Sequence, residues 1–239
     1  MSGQAFKFKQ FTIEQDRCAM KIGTDGILLG AWVELHNPYS ILDIGAGTGV
    51  IGLMLAQRSD AGLIDAIEID DDAYEQCVDN FENSPWGDRL FCYHASLDEY
   101  AEEMQDEEKY DLIISNPPFY AENYKTENES RNLARFSDSL PFGDLLEYAT
   151  SLLSDQGALA VIIPFTEEVN FLKIAKSYNL FPSRITRVRG TQDSPIKRSL
   201  LQLSFSEKDI SEDELIIEIT RHEYTLEYIE LVKDFYQKM

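Results

Sequence analysis

Residues that build metal centres and disulfide frameworks are scarce in this sequence. Its 239 residues include three cysteines and three histidines. Cys18, Cys77 and Cys92 are widely separated and form no metal-ligand pattern. An odd number of scattered cysteines is typical of reduced thiols inside the cell. We therefore predict free thiols and no metal site.

Long apolar runs and positive charge are lacking as well. No apolar stretch approaches the length of a membrane span, and no basic-then-apolar leader opens the chain. We therefore expect a cytoplasmic protein that makes no contact with a membrane. Lysine and arginine total 21 against 43 aspartates and glutamates, a net charge of −22. This charge repels phosphates and argues against generic nucleic-acid binding, so a polyanionic partner would need a local basic patch.

What the sequence does contain is an alternation of short apolar runs and longer helical segments. Runs rich in Ile, Val and Leu are typical of buried parallel strands. They lie at residues 40–45, 63–69, 90–93, 110–115 and 158–164, with helical periodicity at 50–58, 72–82 and 142–153. The alternation predicts a doubly wound α/β sheet. The pattern then changes to strands at 185–188, 199–205 and 215–220 and a helix at 225–235, which would close one edge of the sheet.

A glycine-rich segment joins the first predicted strand to the first predicted helix. Residues 42–52 read LDIGAGTGVIG, in which Gly45, Gly47 and Gly49 allow a tight turn and a close approach of the backbone to a ligand. The part that starts at Gly47 also satisfies the dinucleotide pattern G-x-G-x-x-G, with Glu68 about 20 residues later. The motif predicts a nucleotide site at the carboxyl end of the strand.

Acidic residues decide which nucleotide this loop favours. Asp43 precedes the glycines, and Glu68 and Asp70 end the next strand. These carboxylates would form a negative rim, which suits a cationic nucleotide and disfavours a pyrophosphate. S-adenosylmethionine carries a sulfonium and an ammonium group and no phosphate. We therefore predict it as the cofactor, with Glu68 accepting hydrogen bonds from the ribose hydroxyls.

A polar residue and an aromatic ring flank two prolines in the sequence NPPF, at residues 116–119. In a doubly wound sheet this fourth strand returns beside the first one, at the switch point where ligands bind. The Asn116 side-chain oxygen and the Pro117 carbonyl would then accept both hydrogens of a planar amine and turn its lone pair toward the cofactor. Phe119 would stack on the base that carries the amine. We predict that Asn116, Pro117 and Phe119 are the catalytic residues.

The glycine loop and NPPF together resemble those of the class I S-adenosylmethionine-dependent amino-methyltransferases. The segments AMKIGTDGILLGAW at 19–32 and RVRGTQDSPIKR at 187–198 resemble, more specifically, the bacterial tRNA1(Val) adenine-37 N6-methyltransferases. The resemblance implies a Rossmann-like class I methyltransferase fold, with a doubly wound, mostly parallel seven-stranded sheet and helices on both faces. It also implies methyl transfer to N6 of adenosine 37, beside the anticodon of a valine tRNA.

The resemblance extends to cofactor residues outside the glycine loop. It implies that Lys21, Thr24 and Asp25 frame the methionine end of the cofactor. Related enzymes often carry an aspartate after the third strand that contacts the adenine N6, and this chain offers Ser96 there. The cofactor residues predicted in total are Lys21, Thr24, Asp25, Asp43, Gly45, Gly47, Gly49, Glu68 and Ser96.

Two groups of cations would offset the negative net charge where RNA binds. Five cations lie within the fifteen residues 184–198, which contain a single acid, and three more follow NPPF. Lysine and arginine bind RNA by neutralising phosphates. The residues predicted to contact the tRNA anticodon loop are Lys125, Arg131, Arg135, Arg189, Lys197 and Arg198. We expect no obligate protein partner.

A single methyltransferase domain is expected for residues 1–239. It would consist of an N-terminal segment (1–39), a cofactor-binding core (40–180) and a C-terminal part with edge strands and the last helix (181–239).

Other functions stay open at this stage. The same motifs occur in N-methyltransferases that act on a ribosomal RNA base or on a protein glutamine amide. The glutamine enzymes usually carry a helical N-terminal domain, for which the roughly 40 residues before the glycine loop leave too little room. The chain could also be a non-catalytic nucleotide-binding scaffold or an NAD-binding module, although the intact Asn116 and Phe119 argue against an idle protein.

Overall fold

An eight-stranded sheet forms the centre of the protein. The computed structural model describes residues 5–118 and 140–238. The strands are β1 (Phe6–Lys7), β2 (Thr12–Ile13), β3 (Ser40–Ile44), β4 (Leu63–Glu68), β5 (Leu90–His94), β6 (Tyr110–Ser115), β7 (Leu153–Pro164), β8 (Phe181–Arg189), β9 (Ile196–Ser204), β10 (Ser211–Ile216), β11 (Glu218–Thr220) and β12 (Glu223–Tyr224). Outside the main sheet, β1 pairs with β2 and β11 pairs with β12.

The strands of the main sheet follow the order β10-β8-β9-β7-β6-β3-β4-β5. Each is parallel to its neighbours except β9, which is antiparallel to both β7 and β8. From β3 the chain proceeds to β4 on one side and returns as β6 on the other, which creates the switch point of a doubly wound sheet. The expected doubly wound, mostly parallel sheet is therefore confirmed.

An eighth strand extends the sheet beyond the seven that were expected. β10 lies at the edge and pairs in parallel with β8. Its acidic side chains bond arginines of β8, as between Glu214 and Arg189 at 2.7 Å. The sequence pattern misplaces this strand at residues 215–220, because its first four residues are exposed and contain no apolar run. Backbone pairing with β8, supplemented by these ion pairs, holds it in the sheet.

Helices cover both faces of the sheet, as expected. The helices are α1 (Thr24–Trp32), α2 (Val50–Arg58), α3 (Asp71–Glu82), α4 (Leu97–Glu103), α5 (Phe142–Leu152), α6 (Glu168–Ser177) and α7 (Leu226–Val232), with a short 3₁₀ helix at Phe165–Glu167. Helices α1, α2, α3 and α7 pack around one buried apolar cluster, and α4, α5 and α6 pack around another. None of the helices in the two described ranges combines the length and the apolar character needed to cross a membrane.

Helix α1 has no clear signal in the sequence, because glycines interrupt its apolar pattern. A Cβ on Gly30 would lie 3.0 Å from the sulfur of Met54 in α2. The missing side chain therefore lets α1 and α2 approach closely. A Cβ on Gly26 would likewise lie 3.4 Å from Val50, in the first turn of α2, so the start of α1 lies beside the start of α2.

Candidate active site

The carboxyl ends of β3, β4 and β6 meet at one edge of the sheet. Ile44, the last residue of β3, is in register with Ser115 of β6 and with Ile67 of β4. Neighbouring strands lie about 4.8 Å apart, so Gly45 and Asn116 leave adjacent strands side by side. The Ser115 hydroxyl donates to the Ile44 carbonyl at 2.9 Å and ties the two ends together. Sequence reasoning missed Ser115, although a polar residue at the end of an apolar strand is a usable signal.

The three glycines of the loop have two different structural roles. All have positive φ angles, 73° at Gly45, 56° at Gly47 and 77° at Gly49, which glycine adopts without steric strain. A Cβ at Gly45 or Gly47 would meet no atom within 4 Å, whereas one at Gly49 would lie 2.6 Å from Phe81 and 2.8 Å from Cys77 Sγ. The first two glycines therefore leave open space for a ligand, and the third lets the loop pack on α3.

Asp43 lies beneath the glycine loop. Its side chain is fully buried. Oδ2 accepts the Gly52 N–H at 3.2 Å, and Oδ1 has no hydrogen-bond partner among the described residues. Burial raises the pKa of Asp43 to about 7; the Gly52 hydrogen bond opposes the shift and Glu68 adds to it. Asp43 therefore lies beneath the loop, where it can contribute to the predicted negative rim only from below, and its contact with a cofactor stays a prediction.

Glu68 anchors the loop from the end of β4. Its half-buried carboxylate accepts three backbone N–H groups, from Gly47 at 2.7 Å, Ile69 at 2.9 Å and Asp70 at 3.0 Å. Asp70 itself accepts the Ala73 N–H at 2.9 Å and caps α3. Glu68 thus stands beside the open glycines. No group of His, Cys, Asp and Glu within residues 5–118 and 140–238 is arranged to hold a metal ion.

Ser96 is the N-cap residue of α4. Its hydroxyl donates to Glu99 Oε2 at 2.8 Å, and its backbone N–H donates to the same oxygen at 3.2 Å. The Glu99 carboxylate therefore satisfies an N–H group that the first turn of the helix leaves without a partner. The hydroxyl is engaged in this cap, and the adenine contact of Ser96 stays a prediction.

Lys21, Thr24 and Asp25 lie where the N-terminal segment enters α1. Lys21 and Thr24 are exposed, and Asp25, in the first turn of the helix, is half-buried. Asp25 Oδ2 accepts a hydrogen bond from Arg198 Nε at 2.7 Å. A predicted cofactor residue is thus paired with a predicted RNA residue, and the pair joins α1 to β9. Cofactor contacts by these three residues stay predictions.

The proline corner after β6 is described as far as its second proline. Asn116 is half-buried and Pro117 is buried. Phe119, Lys125, Arg131 and Arg135 lie outside the described residues. Their predicted contacts with the base and with RNA therefore stay predictions.

Ion pairs neutralise most of the basic stretch at residues 184–198. The pairs are Arg184–Glu34 at 3.4 Å, Arg187–Glu168 at 2.7 Å, Arg189–Glu214 at 2.7 Å and Arg198–Asp25 at 2.7 Å. In the part of the chain that the structure describes, Lys197 is the one cation of this stretch without an ion pair. The positive charge counted along the sequence is thus largely cancelled by acids that the fold brings next to it.

Comparison with known proteins identifies a methyltransferase domain. The family described as "Methyltransferase small domain" matches residues 22–172. A Christiangramia forsetii protein named tRNA1(Val) (adenine(37)-N6)-methyltransferase is 67% identical over 240 residues, with 100% of each chain covered. A Bacteroides fragilis protein of the same name is 44% identical over 239 residues, again with 100% of each chain covered.

Solved structures share the fold and establish its class. A protein from Agrobacterium tumefaciens described as a predicted O-methyltransferase has a TM-score of 0.69 at 19% identity, covering 88% of this chain and 96% of its own. Pyrococcus horikoshii TYW2, crystallised with MeSAdo, has a TM-score of 0.57 at 15% identity, covering 84% and 71%. The expected Rossmann-like class I methyltransferase fold is confirmed. Because relatives 44% and 67% identical cover it completely, the chain belongs to the tRNA1(Val) (adenine(37)-N6)-methyltransferase family.

Proposed function

We propose that the protein transfers a methyl group from S-adenosylmethionine to N6 of adenosine 37 in tRNA1(Val), in the cytoplasm. The observation that carries this proposal is the register of β3 with β6. The glycine loop and the Asn116–Pro117 corner start from adjacent strand ends, so a methyl donor on the loop and an amine on the corner would be neighbours. The names of full-length relatives support the choice of tRNA and of base.

The strand ends fit a cationic nucleotide. The first two glycines leave open space above the loop, Glu68 stands at the end of β4 for the ribose hydroxyls, and Asp43 Oδ1 is buried without a partner among the described residues. Negative charge below and beside the loop favours a sulfonium over a pyrophosphate. Lys21, Thr24 and Asp25, at the start of α1, would hold the methionine end. When bound, S-adenosylmethionine supplies an electrophilic methyl group.

Asn116 and Pro117 would orient the target amine. The Asn116 side-chain oxygen and the Pro117 carbonyl would accept its two N–H groups, and the fixed φ of the two prolines stiffens the backbone next to both acceptors. Hydrogens held out of the ring plane weaken the conjugation of the nitrogen lone pair with the ring. The neutral nitrogen would form its bond to the methyl carbon as the bond from that carbon to sulfur breaks, and one N–H proton would leave to solvent afterward, so no strong base is needed beforehand. Phe119 would stack on the adenine, which leaves a loop more readily than a duplex.

RNA binding would rely on a few cations. Lys197 is available for a phosphate, and Lys125, Arg131 and Arg135 would add to it. Arg189 and Arg198 are engaged with acids, so they would contact phosphates only through N–H groups that the ion pairs leave over. We propose that the chain acts as a single domain without an obligate protein partner.

Methylation of defined transcripts tests the proposal. A tRNA1(Val) transcript with adenosine at position 37 should acquire N6-methyladenosine, measured by nucleoside mass spectrometry. A matched transcript with guanosine at position 37 should acquire none. Equal labelling of both transcripts, or labelling of a protein glutamine in place of RNA, would overturn the proposed substrate.

The catalytic corner is tested separately with Asn116→Ala. We expect methyl transfer to fall by roughly 10²–10³-fold, as when a preorganised hydrogen-bonding group is removed from other active sites. Cofactor affinity, measured by calorimetry, should stay nearly unchanged because Asn116 lies on the other strand end. An equal loss of affinity and of transfer would contradict its proposed role.

A further inference from the structure

The side chain of Asn80, in α3, connects the glycine loop with the N-terminal segment. It is 3% exposed. Nδ2 donates to the Thr48 carbonyl at 2.9 Å and to the Glu14 carbonyl at 2.9 Å, and Oδ1 accepts the Glu14 N–H at 2.9 Å. A carboxamide has two N–H donors. In Asn80 these two donors bind the N-terminal segment and the glycine loop, which are distant in the sequence.

Thr48 is the central residue of the glycine loop. It is buried and lies between Gly47 and Gly49, both at positive φ. Glycines lose much conformational freedom when they are fixed, so contacts that hold this loop determine its shape before a ligand binds. Glu68 holds the Gly47 N–H from the strand side, and Asn80 holds the Thr48 carbonyl from the helix side.

The N-terminal segment runs from this contact toward the predicted cofactor residues. The Arg17 N–H donates to Gln76 Oε1 at 3.2 Å, about one helical turn before Asn80. Cys18 follows and is buried near the end of β4, where burial and then the charge of Glu68 raise the pKa of the thiol to about 11. The segment then enters α1. One side of the cofactor site is thus built by this segment and another by the loop.

We propose that Asn80 is a positioning residue for the cofactor, which holds the loop and the N-terminal segment in one arrangement and thereby sets the affinity for S-adenosylmethionine. The inference rests on the proposed function, which assigns the cofactor to this loop. Asn80 acts through Thr48 and Glu14 and lies in α3, whereas the catalytic corner follows β6. Its loss should therefore change cofactor affinity and leave the turnover of saturated enzyme intact.

Two substitutions in the full chain separate the effect of the Asn80 hydrogen bonds from the effect of the space that its side chain fills. Asn80→Ala removes all three hydrogen bonds. Asn80→Asp keeps the shape of the side chain and an acceptor for the Glu14 N–H. It replaces the NH2 group by an oxygen, which then faces the carbonyl oxygens of Glu14 and Thr48. Asn83→Ala is the matched control, because Asn83 follows the same helix and donates to the Asp79 carbonyl at 2.7 Å.

Isothermal titration calorimetry with S-adenosylmethionine gives the first readout. We expect the Kd to rise at least about tenfold for Asn80→Ala and further for Asn80→Asp, as hydrogen bonds to a preorganised loop are lost. The Kd of Asn83→Ala should match the wild type. Steady-state kinetics give the second readout, in which the KM for S-adenosylmethionine should follow the Kd while kcat stays within about threefold of the wild type.

Two outcomes would overturn the inference. In the first, Asn80→Ala folds with a lower melting temperature but binds S-adenosylmethionine with the Kd of the wild type. In the second, Asn80→Ala has a lower kcat and an unchanged KM for S-adenosylmethionine. If neither variant folds, Asn80→Ser, which retains one donor, is measured with the same outcomes. A wild-type chain that binds the cofactor but leaves tRNA unmethylated would contradict the proposed function and leave the inference standing. A wild-type chain that does not bind S-adenosylmethionine would overturn both.

Discussion

Replacing Asp43 by asparagine should change how stability depends on pH. The carboxyl is fully buried and its pKa is raised to about 7, whereas the same group in an unfolded chain ionises near pH 4. The folded state therefore holds the proton more tightly, and stability falls as the pH rises from about 4 to about 7. Each pH unit corresponds to about 1.4 kcal/mol, so ionised Asp43 lowers the free energy of unfolding by roughly 4 kcal/mol above pH 7.

Urea unfolding without cofactor, followed by circular dichroism at pH 5 and at pH 8, measures this effect. Asp43→Asn removes the ionisable group while keeping an acceptor for the Gly52 N–H. The other acids titrate in both proteins and cancel in the difference. We expect the variant to gain roughly 2–3 kcal/mol relative to the wild type between pH 5 and pH 8. A difference that is constant across this range would refute the reasoning.

Cofactor binding adds a second signature of the same group. A cation above the loop favours the ionised carboxylate, so binding should lower the pKa of Asp43 and release a proton near pH 7. Calorimetry in buffers of different ionisation enthalpy counts that proton. The wild type should release more protons than Asp43→Asn and should bind more tightly as the pH rises. Equal proton counts for the two proteins would contradict a carboxylate that acts from beneath the site.

Three further predictions concern the glycine loop, the contact of Lys197 with RNA and the ion pair at the start of α1. Gly49→Ala should lower the melting temperature more than Gly47→Ala, because only the Cβ at Gly49 would meet Phe81, at 2.6 Å. Both variants strain the backbone at a positive φ angle, and overpacking destabilises Gly49→Ala by about 1–3 kcal/mol more. Equal melting temperatures would contradict this packing. Lys197→Ala should reduce the slope of log affinity for tRNA against log salt by about 1, and an unchanged slope would exclude a phosphate contact. Asp25→Ala and Arg198→Ala should couple by about 0.5–1 kcal/mol in a double-mutant cycle of urea unfolding, whereas additive effects would exclude the ion pair.

Local patterns predicted the parts of the fold that depend on few neighbouring residues. The predicted helix at 50–58 coincides with α2, and the predicted strand at 110–115 coincides with β6. Apolar periodicity acts within one element, so it can be read without knowledge of the rest of the chain. Helix α1 was not predicted because its residues 26–32 are buried on all sides and show no apolar periodicity, and strand β10 was misplaced because its first four residues are exposed.

The surroundings of the site residues depend on segments far apart in the chain. Arg198 and Asp25 are 173 positions apart and form an ion pair, so counting charges along residues 184–198 could not include the acid. Asn80 and Glu14 are 66 positions apart and share two hydrogen bonds. The depth of Asp43 likewise follows from the way α2 and α3 close over the end of β3. Such contacts exist only once the sheet has formed.

The four paired arginines of residues 184–198 affect how the protein associates with a tRNA. With carboxylates 2.7 to 3.4 Å away, their fields largely cancel beyond a Debye length of about 8–10 Å. These arginines therefore attract an approaching polyanion only weakly at long range, so they add little to the rate of collision. We therefore expect discrimination between tRNAs to take place after collision, through contacts at short range, and the modified product to dissociate without a strong electrostatic attraction.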